Sequence, residues 1–204
     1  MASENQDDAG GEQQSWPLSR ERLVRFDPAW ASAGFFILVT AALLWAGWTA
    51  AGGKWGAALA MAAVAGFAAA LLVQEVRVPS LFRLAFVAAA FANAAGYAAA
   101  LWVESTPFDE AVHAFTSWAV AAGLTWVLFG RTRLLERGDR VSLFVTAVAT
   151  GATLGILWEA FELVTGMINT LEDTVVDLLM DLTGAAAAGA FLAWAASQSS
   201  RKKG

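Results

Sequence analysis

Six apolar stretches dominate this sequence, and each is long enough to cross the hydrocarbon core of a membrane. A helix needs about 20 apolar residues to span the ~30 Å core, and every backbone polar group there must be satisfied within the helix. We therefore predict an all-α polytopic membrane protein, a bundle of six transmembrane helices joined by short links. The predicted spans are residues 30–52, 55–74, 83–103, 111–130, 141–163 and 175–198.

The composition excludes several classes of protein. Hydrophobic residues make up 58% of the 204 residues and charged residues 15%, against about 45–50% and 25% in soluble domains. A core of this size cannot bury that much apolar surface, so a soluble enzyme is excluded and the lipid bilayer is the expected surrounding. The absence of cysteine excludes disulfides and thiolate metal sites. The net charge of −5 argues against a nucleic-acid partner.

Three regions follow from the distribution of polar residues. Residues 1–29 form an N-terminal segment, whose first 15 residues are polar and predicted to be disordered. Its second part, 16–29, mixes apolar residues with arginine, as membrane-interfacial segments do. Residues 30–198 form the transmembrane domain, and residues 199–204 form a basic cytoplasmic tail.

Basic residues are confined almost entirely to one side of the predicted membrane domain. Lys54 is the single base on the other side. Because positive residues accumulate in cytoplasmic links, both termini are predicted to lie in the cytoplasm. The bases on the cytoplasmic side are Arg20, Arg22, Arg25, Arg77, Arg83, Arg131, Arg133, Arg137, Arg140, Arg201, Lys202 and Lys203.

Half of the 18 acids fall on the outward side, together with His113, the single histidine. Their spacing places several of them on shared helix faces, since residues three or four apart are neighbours on a helix. Asp109 and His113 are four apart, and Glu159 and Glu162 are three apart. The nine outward acids are Glu104, Asp109, Glu110, Glu159, Glu162, Glu172, Asp173, Asp177 and Asp181.

These acids are expected to project into the bundle, because a lipid-facing carboxylate costs several kcal/mol. Several carboxylates in a partly dry site need a counter-charge, which protons, a metal ion or a cationic ligand could supply. An oxygen-rich set with one imidazole suits Mg²⁺, Mn²⁺ or Zn²⁺. The alternative is a hydrogen-bond network that only holds the helices together. For a metal site, the predicted general base is Glu162 and the predicted ligands are Asp109, His113, Glu159, Asp177 and Asp181.

Three motifs in the second half of the chain resemble those of the YjdF-like family of bacterial inner-membrane proteins. They are FDEAVHAF at 108–115, LWEAFEL at 157–163 and EDTVVDLLMDLTGA at 172–185. A more distant resemblance is to VanZ-like proteins, which more often have amides where Glu162 and Asp181 stand. The resemblance covers roughly residues 105–190 and implies a multipass protein of the bacterial inner membrane. It implies no particular activity.

Three functions remain open from the sequence. The first is a metal-dependent enzyme acting on a lipid or lipid-linked substrate at the outer leaflet, where the metal would polarise an oxygen and activate water. The second is a proton- or cation-coupled transporter with the acids in an outward vestibule. The third is a non-catalytic membrane factor that binds a lipid or a partner protein. The sequence does not decide whether the protein is an enzyme.

Overall fold

A computed structural model describes residues 26–73, 78–99, 106–130, 139–165 and 170–200. Within these ranges the chain forms six α-helices, and each is long and apolar enough to cross a membrane. This confirms the predicted all-α fold with six membrane-spanning helices. The helices are α1 (Ala29–Ala51), α2 (Trp55–Val73), α3 (Ser80–Ala99), α4 (Thr106–Gly130), α5 (Arg140–Thr165) and α6 (Leu171–Ser200).

The helices that carry the outward acids begin earlier than the hydropathy pattern predicts. The structure begins α4 at Thr106 and α6 at Leu171, whereas the predicted spans begin at 111 and 175. The Thr170 hydroxyl accepts a hydrogen bond from the backbone N–H of Asp173 at 3.1 Å, which caps the start of α6. Acids in a first turn also interact favourably with the positive end of the helix dipole. The additional turns are therefore polar but helical.

Aspartates stabilise two helix starts at the opposite end of the bundle. Asp27 accepts a hydrogen bond from the Ser80 N–H at 2.6 Å, so α3 begins at residue 80 rather than at the predicted 83. Asp139 accepts bonds from the hydroxyl and the backbone N–H of Ser142, at 2.5 and 3.1 Å. The hydroxyl bond, with the backbone bond, holds the pKa of the Asp139 carboxyl below its usual value.

The six helices pack as two groups that share one boundary. α6 packs along both α4 and α5, and α1, α2 and α3 pack against one another. The two groups meet where α3 packs on α4. Large apolar side chains on the outer faces are exposed, among them Leu44 at 71% and Val73 at 82%, as expected of surfaces that face lipid.

An aromatic cluster fills the end of the bundle where α1, α3 and α5 begin. Phe26 is buried there, and its ring lies 5.4 Å from that of Phe82, 4.9 Å from that of Trp126 and 5.9 Å from that of Phe191. Phe26, in the segment predicted to be interfacial, is thus packed inside the protein. The polar tail at 1–15, the rest of that segment up to residue 25, and residues 201–204 lie outside the described residues, as do most of the bases that predict the orientation.

Two glycines of α6 allow its neighbours to approach its backbone. A Cβ atom added at Gly184 would collide with the backbone carbonyl of Ala114 on α4. One added at Gly189 would lie 3.0 Å from the Cα of Phe144 on α5. Small residues at such positions let membrane helices come close enough for direct backbone contact.

We predict that Gly184→Ala lowers the thermal stability of the purified protein in detergent, because α6 must move away from α4. Overpacking of this kind costs about 1–3 kcal/mol. The matched control is Gly66→Ala on α2, where an added Cβ meets nothing within 4 Å. Equal melting temperatures for the two variants would contradict the close contact between α4 and α6.

Candidate functional site: a carboxylate and histidine cluster

α4 supplies Asp109 and His113 from successive turns of one face. The Asp109 Oδ1 atom lies 3.7 Å from Nε2 of His113, as their four-residue spacing predicts. The His113 side chain is only 9% exposed, and that of Asp109 is 21% exposed. At a rise of about 1.5 Å per residue, His113 lies ~10 Å along α4 from its first residue. The imidazole is therefore inside the membrane-spanning part of the helix.

α6 brings two further carboxylates to the same imidazole. Oδ2 of Asp177 lies 4.0 Å from Nε2 of His113, and Oδ1 of Asp181 lies 3.5 Å from Nδ1. Both aspartates are buried, at 4% and 6% exposure. Their four-residue spacing places them on one face of α6, which is the face that meets α4.

Small and hydroxyl residues hold the three helices at the distance that these contacts need. The Ser117 hydroxyl on α4 donates a 2.7 Å hydrogen bond to the backbone carbonyl of Asp181. On α5, a Cβ at Gly155 would collide with the Asp181 carboxylate, and one at Gly151 would collide with Ala185. The GxxxG pair of α5 thus makes room for the acidic face of α6 as well as for helix packing.

The two nitrogens of His113 have different surroundings. Asp109, Nε2 of His113 and Asp177 offer three ligand atoms that all lie within 4.8 Å of one another, so these residues could hold a metal ion. Asp181 instead faces Nδ1. In metal sites a carboxylate on the second imidazole nitrogen fixes the tautomer and orients the ring. The predicted ligand set is therefore divided between the two sides of the ring.

The two glutamates of α5 lie beside this cluster and do not belong to the group of three. Glu159 is 5% exposed, and neither of its carboxylate oxygens has a hydrogen-bond partner in the described part of the chain. The Thr174 hydroxyl on α6 is close to this carboxylate without a well-formed hydrogen bond to it. Glu162 is half-buried and close enough to Asp109 and His113 to interact with their charges. Whether either residue is a ligand or a base stays a prediction.

The charge of the cluster is poorly balanced. Among the described residues, His113 is the one basic group paired with Asp109, Asp177 and Asp181. A protonated imidazole compensates at most one of the three carboxylates. An ionised carboxylate in a low-dielectric environment needs a compensating charge or must bind a proton. The arrangement can therefore accept a cation.

A cavity of about 540 Å³ begins at this cluster. His113 and Asp181 form part of its wall, and most of the remaining lining is apolar. Its far wall comes from Phe67 on α2 and Phe86 on α3, which the sequence did not single out. The hydropathy of these helices predicts only membrane spans and gives no signal for the cavity. Because of its size and its few polar groups, the cavity resembles a small-molecule site.

Asn93 and Thr116 extend the polar end of this cavity. The Asn93 side-chain amide donates a 2.9 Å hydrogen bond to the Thr116 hydroxyl and thereby links α3 to α4. Both residues line the cavity. Asn93 is a polar residue within an apolar span and could be recognised in the sequence. Thr116 could not, because a helical threonine commonly bonds to its own backbone.

We predict that Glu159→Met raises the melting temperature of the metal-free protein in detergent. A buried carboxylate without hydrogen bonds costs about 1–3 kcal/mol, and methionine fills a similar volume without that penalty. Glu162→Met, at the half-buried neighbouring position, is the matched control and should change the melting temperature less. A lower melting temperature for Glu159→Met would show that this carboxylate has a stabilising partner.

Comparison with known proteins gives one family match. Residues 31–198 match the family described as "Predicted membrane protein (DUF2238)". No curated protein and no solved structure matches the chain. The YjdF-like resemblance is consistent with the family match, whereas nothing found supports the VanZ-like one. The match covers all six helices except the first two residues of α1 and the last two of α6. The chain therefore belongs to the DUF2238 family of membrane proteins.

Proposed function

We propose that the protein binds a divalent metal ion in the outer half of the membrane and uses it to act on a lipid or lipid-linked substrate. The observation that carries this proposal is the convergence of Asp109, Nε2 of His113 and Asp177, with Asp181 on the other imidazole nitrogen. This is the arrangement of a metal ligand set whose histidine is oriented by a carboxylate. The family match supports the membrane location.

The donor atoms fit a metal ion after small movements. Nε2 of His113 lies 3.7 and 4.0 Å from the two aspartate oxygens. Ligands at about 2.1 Å from a tetrahedral zinc ion are about 3.4 Å apart. Since no two of the three ligand atoms are more than 4.8 Å apart, a shift of about 1 Å or less in each side chain is sufficient. Two carboxylates would neutralise a divalent ion, and the imidazole nitrogen favours zinc over magnesium. Three protein ligands leave a coordination position open, as in catalytic sites.

The chain's own residues divide the remaining tasks. A bound divalent ion would act as a Lewis acid and lower the pKa of a water molecule. Asp181 keeps the imidazole in the tautomer that presents Nε2 to Asp109 and Asp177. Glu162 is half-buried beside the cluster and is our proposed general base. Glu159, the remaining predicted ligand, is a buried acceptor beside the cluster and lies outside the group of three.

Transport, the second function that the sequence leaves open, has less structural support. From the level of His113 toward the far end of α4, the buried residues are mainly apolar, and Trp126 joins the aromatic cluster with Phe26 and Phe82. A path for ions through the bundle would need polar groups along this region. Among the described residues, the buried carboxylates and the imidazole instead lie around one end of the bundle. If the protein binds no metal, the third function, a non-catalytic membrane factor that binds a lipid or a partner protein, is the one that remains.

We predict that the purified protein retains close to one equivalent of zinc, measured by elemental analysis after desalting, with manganese and magnesium as comparison ions. Asp177→Asn and His113→Ala should lose the metal. Asp181→Asn should retain it about 10- to 100-fold more weakly, as expected for a group that orients a ligand. Glu172→Gln, at an exposed position in the first turn of α6, is the control. A wild-type protein that retains none of the three metals refutes the proposal.

Lipid turnover tests the enzymatic part separately. The zinc-loaded protein is reconstituted into vesicles of bacterial polar lipid that contain a polyprenyl phosphate, and the lipids are followed by mass spectrometry. We expect at least one lipid to be converted by the wild type and to remain unchanged with Asp177→Asn. If the wild type binds zinc and converts none of these lipids, the site is not an enzyme of this class.

A further inference from the structure

The cavity extends from the carboxylate and histidine cluster toward the middle of the bundle. His113 and Asp181 lie at its polar end. Val120 lies on its wall seven residues further along α4, which corresponds to ~10 Å of depth. Gly151, one turn deeper on α5 than Gly155, also lines it. The cavity thus borders the candidate metal site through His113, while Asp109 and Asp177 are not part of its wall, and it becomes apolar with depth.

One side of the cavity faces lipid. α3 and α5 both pack on α4, and in the described ranges they do not form a packed interface with each other. Between them, the cavity is bordered by Leu154, Leu157 and Trp158, which are 37%, 59% and 43% exposed. The described residues therefore leave this side of the cavity uncovered by other parts of the protein. A lipid chain can reach the cavity sideways without crossing water.

We propose that this cavity binds a single hydrocarbon chain of an amphiphilic substrate, which enters from the bilayer between α3 and α5. The polar head of that substrate lies at His113 and the chain extends toward Phe67 and Phe86. This inference rests on the proposed function, since the metal site is what would act on the head. It adds the substrate class, an amphiphile with a single hydrocarbon chain, and its route of access.

Volume and direction both support this occupant. If each methylene-sized group is taken to fill the ~30 Å³ that a water molecule occupies in the liquid, a cavity of about 540 Å³ holds roughly 18 such groups. That is one chain of ordinary membrane length and not the two chains of a phospholipid. An amphiphile in the leaflet nearest the cluster already has its head at the interface and its chain toward the bilayer centre. The cavity has the same polarity gradient, so the substrate need not turn over to bind.

The test uses the full-length protein in phosphatidylcholine nanodiscs with hexadecyl phosphate that carries a photoreactive diazirine at the end of its chain. After illumination, the labelled residues are located by mass spectrometry. We expect the label on the cavity wall, at Phe67, Phe86 and Val120, above its level on lipid-facing residues of α1 such as Leu44. Label spread evenly over all lipid-facing surfaces would overturn the proposal.

Variants that fill the cavity provide the second arm. Ala90→Phe on α3 and Val120→Phe on α4 place a ring in the cavity from different walls, and each should lose the cavity label. Ala63→Phe, at an exposed position on α2, should label like the wild type. If both cavity-filling variants keep the label, the hydrocarbon chain does not bind in the cavity, whether or not the protein binds zinc.

The metal content of the same samples separates the two proposals. Ala90→Phe is expected to bind zinc like the wild type, because Ala90 contributes no ligand. Loss of label with zinc retained supports the chain site. Labelled cavity residues in a protein that binds no metal would refute the proposed metal function and retain the chain site. A phosphatidylcholine probe with the same diazirine tests whether the cavity selects a single chain. We expect it to label the cavity less than hexadecyl phosphate does. Equal labelling by the two probes would show that the cavity takes general bilayer lipid and would overturn the proposed substrate class.

Discussion

The close approach of α6 to α4 and α5 is the constraint on which the rest of the site depends. Asp177 and Asp181 can reach His113 only because Gly184 admits the α4 backbone and Gly155 leaves room for the Asp181 carboxylate. In a bilayer, apolar burial gives helices little reason to associate, so such contacts come from close packing and hydrogen bonds. The Ser117 bond to the Asp181 carbonyl adds a polar link at the same level. Packing and site chemistry therefore share the same residues.

The imidazole of His113 organises the charges that this packing brings together. Its Nε2 side faces Asp109 and Asp177, and its Nδ1 side faces Asp181. Such a distribution of acceptors on both nitrogens is compatible with a protonated ring, and equally with a neutral ring that binds a metal through Nε2. The excess of carboxylates favours the second, because one imidazolium leaves two of the three negative charges uncompensated, whereas a divalent ion leaves one, on the Asp181 carboxylate that accepts the Nδ1–H bond. Glu159, buried beside them with no hydrogen bond to any residue in the described ranges, increases the need for a cation.

The sequence predicts the membrane fold well because hydropathy and helix length are local properties. It also predicts that Asp109 pairs with His113, since a four-residue spacing fixes their relative position on any helix. It could not predict that Asp181 and Asp177 contact different nitrogens of the ring, because that depends on the rotation and depth of α6 against α4. The apolar walls of the cavity at Phe67 and Phe86 have no signal in the sequence for a similar reason. In the sequence both are ordinary apolar residues of membrane spans, and only the packing of the helices places them at the cavity.

The positions of the polar and aromatic groups along the bundle argue for chemistry at one leaflet more than for passage through the membrane. Acids, His113 and the polar end of the cavity lie where α4 and α6 begin, while Phe26, Phe82, Trp126 and Phe191 close the core near their other ends. A transported ion would have to leave a strongly attractive site and then cross that aromatic region. An amphiphile needs neither step, because its head stays at the interface and its chain moves within hydrocarbon. A cation-attracting cluster beside an apolar cavity therefore fits the proposed amphiphilic substrate better than it fits a transported ion.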